Sequence, residues 1–356
     1  MTINVGQSTL QDLIAARNLS FAAFGIDTIE RVLAADQMAW NTLVRDLEGD
    51  ITEVSEDQQR ILGASANNNM KEVDELGRAE TQRGVFGPQV AFPLRHWQYN
   101  LGWTREWFKN HTPADMAIAV QAGQKAHQRQ LFNDMQKGIF RSANYTFVDY
   151  TKKSISFTIR RLWNADGSAI PDGPHGETFN GATHTHYTAI NGLTAAAATA
   201  VGNNVLEHRI TPDVRLAINA LDAATVTAAL GAGYVAMVDP RMTLQFGTGI
   251  VPTERLDIAT MNDRQIGIFT PYPLWVKPWV PQGYMVAYDT SAPEKPVVRR
   301  VDPGSGGPNL ELVQSIDRHP LHYQFQESYF GHGIFNRGAM AVLYFGGSAW
   351  VDPTIN

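Results

Sequence analysis

The sequence predicts an α+β fold, because stretches with helical spacing of apolar residues are followed by stretches with strand-like alternation. Three observations carry this prediction. Residues 1–76 form a polar, helix-patterned stretch, residues 77–110 alternate and are punctuated by glycine and proline, and residues 112–138 have the signals of one long helix. β-rich segments are expected to follow that helix.

The first 76 residues are expected to form an arm. Within "TIERVLAADQMAWNTLVRDL", apolar residues recur at helical spacing at Ile29, Val32, Leu33, Met38, Leu43 and Val44. The next stretch, residues 48–78, is highly polar and contains three consecutive asparagines. Because so polar a stretch buries little apolar surface by itself, the arm is expected to lean on another surface, such as another subunit.

The stretch 77–110 is expected to be an extended β-hairpin. Apolar and polar residues alternate in "GPQVAFPLRHWQYNLGWTREWF", and glycines and prolines interrupt it. It contains Trp97, Trp103 and Trp107. Aromatic side chains on an exposed hairpin indicate that a partner covers it, so these tryptophans are predicted intersubunit contacts.

The long helix has clear start and stop signals. Thr112 is a good N-cap, Pro113 suits the first helical position and Asp115 lies in the first turn. Gly138 is the predicted end, which makes a helix about 40 Å long. Its narrow apolar stripe consists of Met116, Val120, Leu131, Met135 and Ile139. A helix this long with so narrow a stripe is expected to be a spine that supports other elements along its length, rather than a helix buried in a compact core.

The remainder is expected to be mostly β-structure. Residues 145–210 are predicted to be β-rich with long turns, and residues 211–231 to form a helix that opens at Thr211-Pro212 and ends at Gly231. A short strand, "YVAMVD", should follow, and further strands should occupy the C-terminal third.

Composition excludes several functional classes. The chain has 356 residues, a formal net charge of −6 and no cysteine. Disulfides, thiolate metal sites and cysteine nucleophiles are therefore excluded, and a basic face for nucleic acid is not expected. The chain has no run of about 18 apolar residues, so no membrane span is predicted, and it shows no secretory signal pattern.

Two sequence motifs suggest binding sites. The stretch "YFGHGIFNRG" places glycines at 331, 333 and 338, but neither a lysine nor a helix follows. It is predicted to be a strand–turn–strand in which Gly331 and Gly333 supply positive φ and Gly338 allows close backbone approach.

The second motif is His184-x-His186, whose two imidazoles would share one face of a strand and could bind a metal. Glu177 or His208 could supply a third ligand, with His175 and Glu207 also nearby. The alternative is that these histidines hydrogen-bond to the backbone, and no metal is predicted. No catalytic string such as Gly-x-Ser-x-Gly or His-Glu-x-x-His is present, and neither a catalytic residue nor a cofactor is predicted.

The ordered set of segments resembles a major capsid protein of tailed bacteriophages, of the Hong Kong 97 type. These segments are "MKEVDELGRAETQRG", "VAFPLRHWQYNLGWTREWF", "NADGSAIPDGPHGETFNGATHTHY", "LWVKPWVPQGYMVAYD" and "HPLHYQFQESYFGHGIFNRGAMAVLYFGG". The resemblance runs from about residue 45 to the end. It implies an N-terminal arm (1–76), an extended loop (77–110), a peripheral domain with the spine helix (111–210), an axial domain (211–317) and strands returning to the peripheral domain (318–356).

The implied function is structural. Identical subunits would form pentamers and hexamers that close into an icosahedral shell around double-stranded DNA, in a virion assembled in the host cytoplasm. A portal, a scaffold and a decoration protein are the implied partners, with no membrane. The alternatives are an encapsulin-type compartment and, in another class, a metal-dependent hydrolase using His184 and His186.

Some shells of this type are cross-linked by a loop lysine. Between residues 77 and 107 this chain has arginines but no lysine. A guanidinium stays protonated and is a poor nucleophile, so no covalent cross-link is expected. The loop arginines Arg83, Arg95 and Arg105 are instead predicted to contact neighbouring subunits.

Overall fold

A computed structural model describes residues 26–61, 72–73, 75, 77, 88–150, 154–174, 176–209, 212–237, 242–245, 249–252, 263–302, 304, 309–318 and 321–355. The helices are α1 (Ile26–Glu48), α2 (Arg105–Asn110), α3 (Pro113–Phe140), α4 (Ala195–Leu206) and α5 (Ala223–Leu230). The strands from the N-terminal half are β1 (Thr52–Ser55), β2 (Gln59–Ile61), β3 (Gln89–Ala91), β4 (Arg95–Thr104), β5 (Tyr145–Asp149), β6 (Ile155–Ile159) and β7 (Tyr187–Ala189).

The remaining strands follow α4. They are β8 (Val214–Ile218), β9 (Tyr234–Ala236), β10 (Met242–Gln245), β11 (Gly249–Pro252), β12 (Arg264–Phe269), β13 (Tyr272–Val276), β14 (Tyr284–Asp289), β15 (Val297–Val301), β16 (Glu311–Arg318), β17 (Leu321–Ile334) and β18 (Met340–Tyr344). The α+β class predicted from the sequence is confirmed.

Two mixed sheets organise the described chain. The first contains β1, β15, β17 and β16 in that order, and β4 also pairs with the long strand β17. The second has seven strands in the order β7-β18-β14-β8-β13-β12-β9. Its interior strand β14, next to the middle strand β8, is buried along its whole length, because one face of the sheet packs on α4 and α5 and the other packs towards α3.

The long helix α3 is confirmed, and it ends two residues beyond the predicted end at Gly138. Asp115 accepts hydrogen bonds from the backbone N–H and the hydroxyl of Thr112, at 2.9 Å and 3.0 Å, which fixes the N-terminus. At the other end the helix passes through Gly138 to Phe140. Ile139 and Phe140 are buried in the core between the two sheets, so packing carries the helix past the glycine.

The described part of the N-terminal arm packs on its own chain. Ile29, Val32 and Leu33 of α1 form a cluster with the first half of α3 and with Trp103. Beyond α1, β1 adds to the first sheet as a parallel neighbour of β15. The prediction that this stretch leans on another surface therefore holds for α1 and β1, where that surface belongs to the same chain, whereas contact with another subunit stays a prediction and residues 1–25 lie outside the described part.

The strand pairing observed near the predicted hairpin starts before residue 77. β2 and β3 pair antiparallel, from Gln59 opposite Ala91 to Ile61 opposite Gln89, and most of the residues between them lie outside the described part. β4 does not belong to it, because it pairs over its whole length with β17, from Thr104 opposite Leu321 to Arg95 opposite Phe330. The alternating pattern predicts the strand over residues 95–104 correctly, but residues 105–110, which belonged to the predicted hairpin, form the helix α2. Alternation carries no information about which strand is the partner.

The predicted helix over residues 211–231 is half wrong. Residues 214–218 form β8, which lies between β13 and β14 in the middle of the second sheet, and only residues 223–230 are α-helical. Burial on both faces of a central strand overrides the local helical pattern. Residues 195–206, expected to be part of a β-rich stretch, form α4, whose N-cap is the Thr194 hydroxyl.

The strands also cross the predicted domain boundaries. β15 and β16, assigned to the axial segment 211–317, join the first sheet, while β18, assigned to the returning segment 318–356, joins the second. β7, assigned to the peripheral segment, pairs with β18. Chain order therefore does not separate the two sheets into consecutive blocks.

The glycine-rich stretch 329–338 is a strand end and a turn. Gly331 and Gly333 lie within β17 and do not have positive φ, so that part of the prediction is wrong. A Cβ atom on Gly331 would lie 2.3 Å from the carbonyl oxygen of Pro93, so this glycine is needed for close packing of backbones. The turn at Gly338 leads into β18 as predicted.

Candidate functional site

A cluster of three histidines and one glutamate forms where α4 ends against the start of β7. His184 and His186 lie in an extended segment held on both sides: the His186 N–H donates to the Trp163 carbonyl at 2.7 Å, and its own carbonyl accepts from Val342 of β18. Glu207 and His208 follow α4 directly. Two sequence-distant pairs are thereby brought to one point.

The ring nitrogens of the cluster converge. The Nε2 atoms of His184, His186 and His208 lie 3.1 Å from one another in all three pairs. Glu207 Oε1 lies 3.6 Å, 3.9 Å and 3.7 Å from the same three nitrogens, in that order. The arrangement is a triangle of nitrogens with one carboxylate oxygen adjacent to all of them.

Surrounding groups orient the rings. His186 Nδ1 lies 2.7 Å from the carbonyl oxygen of Met340, and since a carbonyl only accepts, Nδ1 carries the proton and Nε2 presents a lone pair. The ring of Phe179 packs against His184 and His208, with centroid distances of 4.9 Å and 4.5 Å. One side of the cluster is thus covered by an aromatic ring.

Burial keeps the imidazoles neutral. It lowers the pKa of His184, lowers the pKa of His186 well below the ordinary value, and lowers that of His208 to about 3, with the neighbouring histidines acting in the same direction on the last two. Burial, and next the charge of Glu177, raise the pKa of Glu207. Of the third ligands predicted from the sequence, His208 lies in the cluster and Glu177 does not, while His175 is outside the described residues.

The tryptophans predicted to contact other subunits all contact their own chain. Trp103 is 5% exposed and packs with Met116 and Val120, so its predicted interface role is wrong. Trp97 is half-buried beside Leu131, and its Nε1 donates to the carbonyl of Phe330 at 3.2 Å. The cause is the strand alternation, which turns this face of β4 towards α3.

The remaining predicted contacts are divided between surface and interior. Trp107 is partly buried and stacks on His111 with ring centroids 4.5 Å apart. The Arg95 guanidinium lies over the ring of Phe147, and Arg105 is exposed. Contact of Trp97, Trp107, Arg95 and Arg105 with a second subunit stays a prediction, and Arg83 lies outside the described residues.

Exposed apolar side chains occur on several separate parts of the described surface. Val235 of the edge strand β9 is 62% exposed and lies opposite Ile268 of β12, which is 41% exposed. The β5–β6 hairpin exposes Tyr150 by 80%. Other members of this group are Met38, Ile118, Ile155, Leu221 and Met237. The exposed edge strand with its adjacent apolar pair, Val235 and Ile268, is the strongest candidate contact surface among them.

Sequence reasoning missed a buried charge network between α1, α3 and the first sheet. Arg299 Nη1 lies 2.7 Å from Glu48 Oε2, and both residues are almost fully buried. His332 bridges the helices, with Nδ1 3.1 Å from Asp134 and Nε2 3.6 Å from Glu48. The available signal was the pair of charges in the otherwise apolar strand "VVRRV".

The opposite charges favour the ionised forms of Glu48, Asp134 and His332. Burial by itself raises the pKa of Glu48 and Asp134, but Arg299 and His332 outweigh it and lower the pKa of Glu48, and hydrogen bonds from His332 lower that of Asp134. Burial likewise opposes protonation of His332, but its bonds to Asp134 and Glu48 raise its pKa. Arg300, on the opposite face of the same strand, pairs with Asp149 at 2.7 Å.

Comparison with solved structures shows which fold this is. A protein in the structure of Mycobacterium phage Patience is 18% identical, and the match covers 99% of this chain and 97% of that chain with a TM-score of 0.66. The two chains share one fold. Weaker matches include the capsid of cyanophage P-SCSP1u (9% identity, 84% and 86% coverage, TM-score 0.49) and the capsid of a native GTA particle (12%, 86% and 91%, 0.48).

The other comparisons found nothing. No protein-family model and no curated protein matches the sequence. In the described residues, no helix is both long and apolar enough to cross a membrane. The phage-protein fold is therefore recognised through structure, over nearly the full length of both chains.

Proposed function

We propose that this chain is a major capsid protein of a tailed bacteriophage. The observation that carries the proposal is the shared fold with the Patience phage protein, which extends over 99% of this chain. The sequence segments that resemble Hong Kong 97-type capsid proteins support the same function. The role proposed for it is structural rather than enzymatic.

The surface supports assembly. Apolar side chains are exposed on α1 and α3, on the β5–β6 hairpin and at the β9 edge of the second sheet, which are separate places in the fold. A subunit in a closed shell needs several different contact surfaces, because each neighbour meets a different face. A single patch would favour a dimer instead.

The proposed parts follow the observed sheets. The first sheet and α3 would form the peripheral domain, and the second sheet with α4 and α5 the axial domain around the five- and six-fold axes. Residues 59–91 would be the extended loop that overlaps a neighbour. The net charge of −6 suits a shell that encloses DNA without binding its sequence. A portal, a scaffold and a decoration protein are the proposed partners.

Assembly of the purified full-length chain tests the proposal. Sedimentation velocity should show pentamers, hexamers or shells in place of a monomer as the chain concentration rises. Replacing residues 62–88 with a two-residue Asn-Gly turn, which removes the connection but lets β2 and β3 pair, should leave a folded subunit that no longer closes shells. A monomer at every concentration, with or without a co-expressed scaffold, would contradict the proposal. Shells purified from infected cells that lack nuclease-protected DNA would favour the encapsulin-type compartment.

A further inference from the structure

We propose that His184, His186, His208 and Glu207 bind one zinc ion, which acts as a structural clamp inside the subunit. The ligand atoms of a tetrahedral zinc ion, each about 2.0–2.1 Å from the metal, lie about 3.3 Å from one another. The three Nε2 atoms are 3.1 Å apart, and Glu207 Oε1 is 3.6–3.9 Å from each. The four atoms therefore already mark the corners of such a site.

Hydrogen bonding among the rings does not explain this arrangement. A neutral imidazole offers one in-plane proton or lone pair at Nε2, and that of His186 is a lone pair because its proton is on Nδ1. The other two rings supply at most one proton each, so at least one side of the triangle lacks a hydrogen bond. One cation at the centre satisfies all three nitrogens and the carboxylate together.

The surroundings have the features of a built metal site. The bond from His186 Nδ1 to the Met340 carbonyl fixes the tautomer and the ring orientation, as the outer partners of metal-bound histidines usually do. Phe179 covers His184 and His208, and His186 is completely buried. Three neutral nitrogens and one carboxylate oxygen are ligands that suit zinc.

The fourth ligand determines what the ion does. A catalytic zinc keeps an open position for water, whereas a structural zinc is closed by four protein ligands. Here Glu207 occupies the fourth corner, so the site favours a clamp over the hydrolase considered from the sequence. It would join the end of α4 to the segment before β7, and through Met340 and Gly338, which lies close to the His208 ring, to the start of β18.

A cobalt titration of the purified full-length chain tests the site, whether or not the chain assembles. The chain is stripped of metal with a chelator and titrated with Co²⁺, whose tetrahedral complexes have strong visible absorption bands. We expect the bands to saturate at one Co²⁺ per chain and to vanish when Zn²⁺ is added. His208→Ala should abolish them, while His111→Ala, at an exposed histidine outside the cluster, should leave them unchanged.

Two further measurements protect the test against a misfolded variant. Glu207→Gln changes a half-exposed side chain and should weaken cobalt binding at least about tenfold. Losing a residue that only hydrogen-bonds to a metal ligand already weakens metal binding by about tenfold or more, and loss of a direct ligand should weaken it at least as much. Zinc at about 100 times its Kd should raise the Tm of the wild-type chain by about 4 °C and leave that of Glu207→Gln less affected. Absence of the bands in the wild-type chain, or equal bands in His208→Ala, would overturn the proposal.

Discussion

Removing the charge of Glu48 should destabilise the subunit strongly. Glu48 ends α1 and lies 2.7 Å from the guanidinium of Arg299, and both residues are almost fully buried. In Glu48→Gln the Arg299 charge stays buried without its partner, and breaking a buried pair in this way costs about 3–5 kcal/mol. With an unfolding entropy of about 0.75 kcal/mol/K for a chain of 356 residues, Tm should fall by about 4–7 °C.

A matched control separates burial from charge. Glu106 forms an ion pair of similar length with Lys109, at 3.0 Å, but the two side chains are 70% and 69% exposed. Glu106→Gln should change Tm by less than about 1 °C, since exposed pairs contribute little. Differential scanning fluorimetry of the unassembled chain gives both values. Equal shifts in the two variants would refute the reasoning that buried charges hold α1 to the first sheet.

Three further predictions follow from the described structure. Gly331→Val should prevent folding to a soluble subunit, because its Cβ would meet the Pro93 carbonyl; soluble expression at wild-type yield would contradict this. Protonated His332 stabilises the fold fully below its ordinary pKa of 6.5, and this contribution is lost as pH rises through its raised pKa in the folded chain. The Tm should therefore decline above pH 6.5 in the wild type and decline less in His332→Gln. Parallel Tm profiles of the two chains would contradict the role of His332. Residues 59–91 contain one lysine, Lys71, so mature particles of a Lys71→Arg variant boiled in denaturing detergent should run as one band near 39.3 kDa, and a ladder of covalent oligomers would show cross-linking through another residue.

The buried charge network should also lose stabilising free energy at low pH. Glu48 and Asp134 have lowered pKa values, so their contribution is present above their ordinary values of 4.5 and 3.8 and disappears as pH falls through the lowered ones. The other histidines with shifted pKa values, which include His127 at about 4, all shift downwards and so do not titrate above pH 6.5. Among the histidines with shifted pKa values, His332 is therefore the one whose deprotonation lowers the Tm above pH 6.5.

Local signals predicted local structure well. The cap at Thr112 and the apolar stripe gave α3 to within two residues of its observed end, because both depend on near neighbours along the chain. Strand alternation likewise placed the residues of β4 correctly. Its partner β17 is more than 200 residues away, and no local pattern specifies such a partner. The interface assigned to Trp103 failed for this reason.

The histidine cluster was predicted in part. The spacing of His184 and His186 indicated a shared face, and His208 was one of two candidate third ligands. His208 reaches the cluster because α4 ends just before it, at Leu206. The sequence pattern predicts no helix at residues 195–206, so it does not decide between His208 and Glu177. The buried network around Arg299 could not be predicted without knowing how the first sheet packs on both long helices, α1 and α3.

Electron cryomicroscopy of particles formed by the full-length chain is the decisive test of the capsid function. We expect closed icosahedral shells in which this chain forms five- and six-fold capsomers, with the second sheet nearest the symmetry axes and residues 59–91 lying over a neighbouring subunit. Particles that contain the chain only as a monomer or a closed dimer, or shells whose axes are formed by α1 and the first sheet, would contradict it.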